Sequence, residues 1–320
     1  KFISVDPVRV WAPRMAMSSI NVSLRILQRM SDARSSEAEC SSVTEQWVDG
    51  RCWLSGVGGW QSVAAAGLAA VDDFNARDAR QVEAFGNLSH CDKYLDVTVY
   101  DTGSSETVAY ASVTDMFASP STAPDVVVGP ARSAVSLHTA LPLGVRGIPQ
   151  ISYWSTSAVL DDANTYPLFM RTLPSDDSAA FACCQLWATE LSLTRGAVIF
   201  VDDAYGRAYA QALEGHCYEA GVEVALFPFT YGDSASIRVQ VNLLAALPPE
   251  ARRGVLAITF SGDVTTLTEE AQVTGILRDG LFTFSDASGV ASIGDANAAT
   301  RTDLNGSTRL AFRGASDDNP

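Results

Sequence analysis

The chain has 320 residues, of which 47% are hydrophobic and 18% charged, so it can bury a large core and is expected to form two lobes rather than one. Its 22 basic residues face 37 acidic ones, and the formal net charge of −15 argues against nucleic acid as a partner, since nucleic-acid-binding proteins present basic patches. No apolar run approaches the roughly 20 residues that a membrane-spanning helix needs.

The first predicted elements follow a polar leader. Residues 1–50 carry polar clusters and no sustained hydrophobic period, so we interpret them as irregular or partly helical. Apolar residues at helical spacing then predict a helix over 62–76, and the alternating segment YLDVTVY predicts a strand over 94–100. A turn with a serine N-cap opens the next helix, SETVAYASVTDMFA.

Short apolar segments dominate the rest of the chain. They are DVVVG, PQISY, GAVIFVD, VEVALF, GVLAITF and LFTFS. They lack polar alternation, which is typical of strands that helices cover on both faces, and most are followed by helix-compatible sequence. The pattern predicts an α/β fold with parallel sheets flanked by helices.

An extended stretch with two prolines, 166–175, is the predicted boundary between two lobes. We place the first lobe at 51–174 together with 300–320, and the second lobe at 175–299. The tail segment NGSTRLAFRG is expected to be a strand that returns to the first lobe, so this lobe is expected to be incomplete at its C-terminus.

Enzyme motifs are present only in part. The run Gly56-Val57-Gly58-Gly59 lacks the preceding strand and the third glycine of a dinucleotide fingerprint. Gly232-Asp233-Ser234 is shared with a hydrolase motif, but Ser234 precedes a helix that it can cap, and no histidine is spaced to act as a base. We therefore predict no catalytic residue, no cofactor and no enzymatic activity.

Cysteines and sequons indicate a secreted setting. The sequence has no Cys-x-x-Cys pair, and no histidine is close enough to the cysteines to complete a zinc site, so no metal site is predicted. An even number of cysteines, six, fits an oxidising compartment. Candidate glycosylation sites are Asn21, Asn87 and Asn305, although chance alone could supply one or two sequons in a chain this rich in serine and threonine.

The segment around 126–157 gathers groups that suit one chemical task. A helix predicted to start at Ser133 and to end near Leu141, before Pro142, would direct free N–H groups toward the strand ends. Hydroxyls and aromatic rings follow the next strand, at Tyr153, Trp154, Ser155, Thr156 and Ser157. Such a set can bind a carboxylate and stack a ligand body. Equally, Ser133 can cap its helix and Thr156 can complete a turn, so both interpretations stand.

Four segments in order carry a family resemblance: GPARSAVSLHTALPL, IPQISYWSTSAVLDD, YPLFMRTLPSDDSAA and FVDDAYGRAYAQAL. Together they resemble the ligand-binding ectodomain of class C G-protein-coupled receptors and natriuretic-peptide-type (ANF) receptors, which is itself similar to type I periplasmic binding proteins. The resemblance is dense over 126–210 and looser over 58–124 and 221–313. It implies a two-lobed, Venus-flytrap-like clamp that closes on a small molecule.

The resemblance also implies a set of ligand-binding residues. By position, Ser133 and Thr156 of the first lobe would hold the carboxylate and ammonium of an amino acid. Asp176, Tyr205 and Asp286 would join them as the lobes close. Carboxylates can pair with an ammonium, and a tyrosine ring can offer its face to it.

Departures from the family pattern bear on the ligand. Trp154 stands where amino-acid receptors usually carry a smaller residue, which favours a different ligand. The N-terminal segment has no basic residue matching those that grip acidic side chains, so glutamate is not favoured. Cys52 and Cys91 are placed like a disulfide of the family, while Cys183 or Cys184 could pair with Cys217 or all three could be buried thiols.

These expectations converge on an extracellular sensor. It would bind an amino acid or a related molecule between its lobes and signal through a membrane domain downstream of this chain, with a homodimer through the first lobe. A secreted or periplasmic protein that delivers a small solute to a transporter is the alternative.

Overall fold

The structure is a computed structural model that forms two compact α/β units. The first unit holds the described residues up to Ser155 together with Asp162–Thr172, and the second holds Thr156–Asp161 and the described residues from Leu173 onward. The structure describes residues 22–28, 45–48, 51–54, 59–88, 90, 93–118, 123–288, 297–304 and 307–310.

The first unit is built on a parallel sheet. Its strands are β1 (Val22–Gln28), β2 (Glu45–Val48), β3 (Arg51–Leu54), β4 (Leu95–Asp101), β5 (Val126–Val128), β6 (Gln150–Ser152) and β7 (Phe169–Arg171). Its helices are α1 (Gly59–Ala76), α2 (Glu106–Met116), α3 (Ser133–Val145) and a 3₁₀ helix at Glu83–Leu88. The sheet order is β4-β1-β5-β6-β7, and β2 and β3 form a separate antiparallel pair.

Strand β1 corrects the expectation of an irregular leader over 1–50. It lies between β4 and β5 and is parallel to both. The signal is present in the sequence, because Val22, Leu24 and Ile26 alternate with Ser23 and Arg25 as strand residues do. This alternation of apolar and polar residues is short, and the polar clusters on both sides of it make the whole segment resemble irregular sequence.

Helix α3 corrects the prediction that Pro142 ends it. The helix continues through Pro142 to Val145. Leu143 is fully buried and belongs to an apolar cluster with Met116, Val127 and Ile148. Burial of such side chains stabilises the fold and offsets the backbone hydrogen bond that a proline cannot donate.

The second unit has a longer and more deeply buried sheet. Its strands are β8 (Arg195–Val201), β9 (Glu223–Phe229), β10 (Gly254–Ile258), β11 (Leu281–Phe284) and β12 (Thr308–Arg309). Its helices are α4 (Asp176–Gln185), α5 (Ala204–Glu219), α6 (Ser234–Ala245), α7 (Ser261–Val273) and α8 (Ala298–Asp303). Short 3₁₀ helices lie at Ala158–Asp161, Pro249–Arg252 and Ile276–Arg278, and a π-helical turn at Leu186–Glu190.

The strand order β12-β11-β10-β8-β9 is parallel throughout. Every residue of β10 is buried, as expected for a strand covered on both faces. The tail strand β12 pairs with β11 and so belongs to the second sheet, which corrects the expectation that it returns to the first lobe. Hydroxyls link the two strands, since Thr283 Oγ1 and Thr308 Oγ1 lie 2.9 Å apart.

The core of the second unit contains a space for one indole ring, which we call the indole slot; it holds Trp187 beside Gly196 and Gly254. Trp187, in the π-helical turn, is fully buried. A Cβ atom placed on Gly196 of β8 would lie 2.4 Å from the indole, and one on Gly254 of β10 would lie 3.0 Å from it. Two glycines on neighbouring strands therefore make room for one large ring.

The predicted fold class is confirmed, since parallel sheets flanked by helices form both units and the apolar segments predicted as strands are strands. One capping prediction is wrong in detail. Asp233, not Ser234, caps α6, and its carboxylate accepts from the backbone N–H groups of Ala235 and Ser236. A carboxylate here also faces the positive end of the helix dipole.

Candidate ligand-binding site

Ser133 is the first residue of α3 and is buried. The N-cap position belongs to Arg132, whose side chain makes no capping hydrogen bond. Ser133 is therefore not the cap that the simpler interpretation of the sequence expects. Its backbone N–H is among those at the helix start that have no acceptor within the helix, which is the kind of group that binds anions.

A network of buried serine hydroxyls holds the loop before α3. The carbonyl oxygen of Pro130 accepts from Ser136 Oγ at 3.1 Å, Ser152 Oγ at 2.7 Å and Ser155 Oγ at 3.2 Å. Ser155 Oγ also lies 2.7 Å from Ser136 Oγ and 3.0 Å from the Ala131 carbonyl oxygen, so its single proton is shared between the Pro130 and Ala131 carbonyls. Because the Ser155 hydroxyl is fully engaged and buried, its place among the ligand-binding candidates is better explained as fixing this loop.

Two aromatic residues follow β6 in different environments. Tyr153 is largely buried, and burial raises the pKa of its phenol to about 12. Its hydroxyl has no hydrogen-bond partner among the described residues. Trp154 is 39% exposed, which makes it the most accessible of the candidate residues in this loop. The sequence places both rings after the strand, as found.

Thr156 belongs to the second unit rather than to the first. Its carbonyl oxygen accepts from the backbone N–H of Asp176 at 2.9 Å, at the start of α4. The neighbouring Ser157 hydroxyl donates to the carbonyl of Ala204 at 3.2 Å, at the start of α5. The segment Thr156–Asp161 is thus attached to the helix starts that carry Asp176 and Tyr205, and this differs from the placement that the resemblance implies.

Asp176, Tyr205 and Asp286 come together in the second unit from three elements. Asp176 is the first residue of α4 and is fully buried. Tyr205 lies in the first turn of α5, where Asp203 caps the helix. Its phenol donates a hydrogen bond to Asp286 Oδ1 at 3.1 Å, just beyond β11. Burial, followed by the charges of Asp286 and Asp176, raises the pKa of Tyr205 well above 10, so the phenol remains a hydrogen-bond donor at neutral pH.

Aromatic residues that sequence reasoning missed extend this group. The ring of Phe260, after β10, lies 5.3 Å from that of Tyr205, and Tyr231, after β9, contacts Phe260 edge-on at 5.5 Å. Tyr209 contacts Tyr205 edge-on at 6.1 Å. Tyr205, Phe260, Tyr231 and Asp286 all follow carboxyl ends of parallel strands, where ligands bind in open α/β sheets. Their positions just after strands were the signal available in the sequence.

A disulfide joins the helices that begin at this group. Cys184 of α4 and Cys217 of α5 are bonded, with Cα atoms 5.2 Å apart, so one of the predicted alternatives for these cysteines is confirmed. Cys183 is a buried free thiol, and burial raises its pKa to about 12. Cys52 lies in β3, but its proposed partner Cys91 is outside the described residues, as are Asn21 and Asn305. Asn87 is exposed in the 3₁₀ helix Glu83–Leu88.

Two parallel α/β units, with polar and aromatic side chains after the strands of the second, define a periplasmic-binding-protein-like fold. The chain belongs to the family described as receptor family ligand binding region (ANF receptor), which matches residues 66–305. Within the described residues, no cluster of three or more His, Cys, Asp or Glu side chains could hold a metal ion. None of the described helices is both long and apolar enough to cross a membrane.

Curated relatives of the chain are class C receptors. The chain is 31% identical over 170 residues to a G-protein coupled receptor family C group 6 member A of Carassius auratus, covering 48% of the chain and 19% of that receptor. It is 30% identical over 175 residues to the metabotropic glutamate receptor-like protein E of Dictyostelium discoideum, with coverage of 52% and 21%. Over 81 residues it is 39% identical to the human extracellular calcium-sensing receptor, with coverage of 25% and 7%. The matches span at most about a fifth of the length of these relatives.

Proposed function

We propose that the chain is the extracellular ligand-binding region of a membrane receptor and that it binds a small amino-acid-like molecule between its two lobes. In this proposal the protein acts by binding and not by catalysis, and closure of the lobes is the signal. The membrane-spanning part and a homodimer through the first lobe are further parts of the proposal. Family membership and the class C relatives support it.

The observation that carries the proposal is the acidic and aromatic group of the second unit. Two carboxylates, Asp176 and Asp286, lie around the phenol of Tyr205, and Asp176 is fully buried. Burial of anionic groups is costly unless a cationic group or hydrogen bonds compensate it. An ammonium is the complementary group, because carboxylates pair with it and an aromatic face attracts it.

The first unit supplies complementary chemistry for a carboxylate. The start of α3 offers backbone N–H groups beside Ser133, and the serine network fixes the loop that precedes it. An ammonium and a carboxylate together describe an α-amino acid. Trp154, with 39% of its surface exposed, supports a ligand that can stack on an indole or that differs in size from the ligands of other amino-acid receptors.

The test is isothermal titration calorimetry of the 320-residue chain with the proteinogenic L-amino acids and simple alkylamines. Asp176→Asn and Ser133→Ala are each expected to weaken binding of amino acids by about tenfold or more, because each removes a contact to a charged group. For amines without a carboxylate, only Asp176→Asn is expected to weaken binding.

A matched control is Asp177→Asn, since Asp177 is the next residue of α4 but its carboxylate is directed to His216 Nε2 at 2.9 Å. This variant is expected to bind as the wild-type chain does. Amino-acid binding that survives both Asp176→Asn and Ser133→Ala unchanged would remove the site assignment. The absence of binding by every amino acid and amine would remove the proposed ligand class.

A further inference from the structure

Tyr209 is a buried residue of the second unit whose hydroxyl takes no part in the amino-acid contacts proposed for Asp176, Tyr205 and Asp286. Its side chain is fully buried, and its hydroxyl has no hydrogen-bond partner within the part of the chain that the structure describes. A phenylalanine would fill the same volume without bringing a polar atom into the core. A buried hydroxyl that makes no hydrogen bond destabilises the folded protein, so its presence calls for a partner that the described residues do not provide.

The surroundings of Tyr209 are those of the candidate site. Tyr209 lies four residues after Tyr205 on α5, so both rings project from one face of the helix, and their centroids are 6.1 Å apart. Asp176 and Cys183, two helical turns apart on α4, act on Tyr209 electrostatically, as does Asp286. Tyr209 thus packs against Tyr205, the residue whose phenol is hydrogen-bonded to Asp286.

The chemistry of these neighbours restricts what the hydroxyl can bind. Burial, then the charges of Asp176, Cys183 and Asp286, raises the pKa of Tyr209 well above 10, so the phenol keeps its proton at neutral pH. Because the hydroxyl has no hydrogen-bond partner among the described residues, its oxygen lone pairs stay available to a donor. The phenol of Tyr205 is already engaged, since it donates to Asp286 Oδ1.

We propose that Tyr209 is a further ligand-contacting residue, whose hydroxyl oxygen accepts a hydrogen bond from an N–H of the ligand's ammonium group. The inference rests on the proposed function and narrows the ligand class to amines that carry N–H bonds. A quaternary ammonium offers charge to the carboxylates and the ring of Tyr205 but no proton to Tyr209. The hydroxyl therefore selects primary or secondary amines over fully methylated ones.

Tyr209→Phe tests the inference with two measurements on the full chain. In the first, the melting temperature without added ligand is expected to rise by about 2–4 °C, because the variant removes a buried hydroxyl that makes no hydrogen bond. In the second, the probes are L-alanine, L-leucine, L-phenylalanine and the N,N,N-trimethyl derivative of each, titrated by calorimetry. Affinity for the unmethylated probes is expected to fall about ten- to a hundredfold, and affinity for the trimethyl derivatives to stay within about twofold.

Tyr218→Phe is the matched control, because Tyr218 lies on the same helix and is 84% exposed. It is expected to change neither measurement. Equal loss of affinity for methylated and unmethylated probes would indicate a packing role and overturn the inference. An unchanged or lowered melting temperature of Tyr209→Phe would do the same, because the hydroxyl would then have a partner in the free protein. If no probe binds the wild-type chain, the proposed function fails together with the inference, whereas wild-type binding that Tyr209→Phe leaves intact overturns the inference alone.

Discussion

The two units hold the loops that carry the candidate ligand-binding residues in place by different means. In the second unit, Asp176, Tyr205 and Asp286 lie on or beside elements that a large apolar core holds together, and a disulfide joins α4 to α5. In the described part of the first unit, β5, β6 and β7 have three residues each, and the loop before α3 is held by hydroxyls that converge on the Pro130 carbonyl. Apolar burial is non-directional, whereas hydrogen bonds fix one geometry at a modest net gain.

Apolar burial therefore stabilises the second unit, whereas hydrogen bonds fix the geometry of the loop before α3 in the first unit. The second unit can tolerate charged and polar groups in its interior because a large apolar core stabilises it. The first unit has buried hydroxyls that hydrogen-bond around the Pro130 carbonyl, and the proposed binding of a carboxylate at the start of α3 depends on the geometry that they fix. Measurements that separate apolar burial from hydrogen bonding are therefore the most informative, and three substitutions and one pH dependence follow.

Trp187→Ala is expected to lower the free energy of unfolding of the second unit by about 3–5 kcal/mol, because it empties the indole slot between β8 and β10. Urea unfolding followed by circular dichroism measures this. Phe181→Ala, on the preceding helix and 50% exposed, is the control and should cost about 1 kcal/mol or less. Similar losses in the two variants would mean that the indole is not a main source of stability.

Replacement of Cys184 and Cys217 by alanine is expected to cost about 2–4 kcal/mol, because the bond closes a loop with a sequence separation of 33 residues. The same unfolding measurement applies, with Cys183→Ala as the control at the adjacent free thiol. Reducing agent should reproduce the loss in the wild-type chain and have no effect on the double variant. If reduction leaves the wild-type stability unchanged, the cross-link does not stabilise this unit.

Ser155→Ala is expected to cost about 1–3 kcal/mol, because it leaves Ser136 Oγ and the Ala131 carbonyl without a hydrogen bond that each makes with Ser155. Limited proteolysis of the loop before α3, beside urea unfolding, would detect the loosened network. The exposed Ser112→Ala, which removes only a hydrogen bond to the Val108 carbonyl, should stay within about 0.5 kcal/mol of wild type. Identical proteolysis patterns for the two variants would argue against the network.

Alkaline pH should weaken the second unit through its buried phenols. Folding raises the pKa of Tyr205 and of Tyr209 well above 10, so the stability that the neutral phenols contribute is complete below about pH 10 and is lost as pH rises further. The expected slope is about 1.4 kcal/mol per pH unit for each tyrosine. The free energy of unfolding at pH 9 to 11 measures this slope. Tyr205→Phe should reduce the slope by the contribution of one tyrosine, about 1.4 kcal/mol per pH unit. A slope that Tyr205→Phe leaves unchanged would contradict the assignment.

The sequence predicts the architecture well, because unbroken apolar strands and capped helices are local patterns. It fails where local signals compete with packing. Pro142 lies inside α3 because burial of Leu143 outweighs a lost backbone hydrogen bond, and β1 is hidden by polar flanks. Attachment of Thr156 to the second unit depends on hydrogen bonds to residues 20 and more positions away, which no local pattern contains.

The candidate site follows the same rule. Asp176, Tyr205 and Asp286 can be nominated by family resemblance, but the hydrogen bond between Tyr205 and Asp286 spans 81 residues and is visible only in the fold. No sequence motif marks Tyr209 as a site residue. Only the fold shows that its hydroxyl is buried and has no hydrogen-bond partner among the described residues. Ser155 shows the converse, since a hydroxyl in the right segment proves to be engaged by the protein itself.

The indole slot makes the residues allowed at positions 187, 196 and 254 depend on one another, although these positions are distant in sequence. A Cβ atom at position 196 would lie 2.4 Å from Trp187, so a larger residue at 196 requires a smaller residue at 187. A Cβ atom at position 254 would lie 2.6 Å from Leu193 Cδ1 and 3.0 Å from the indole, so a larger residue there requires a change at 193 as well. Homologues should therefore show covariation of 187 with 196, with tryptophan paired to glycine and smaller residues paired to alanine or valine, whereas position 254 should covary with both 187 and 193. Trp187→Leu combined with Gly196→Ala should accordingly fold better than Gly196→Ala alone, which makes these positions a natural starting point for redesigning the core of this lobe.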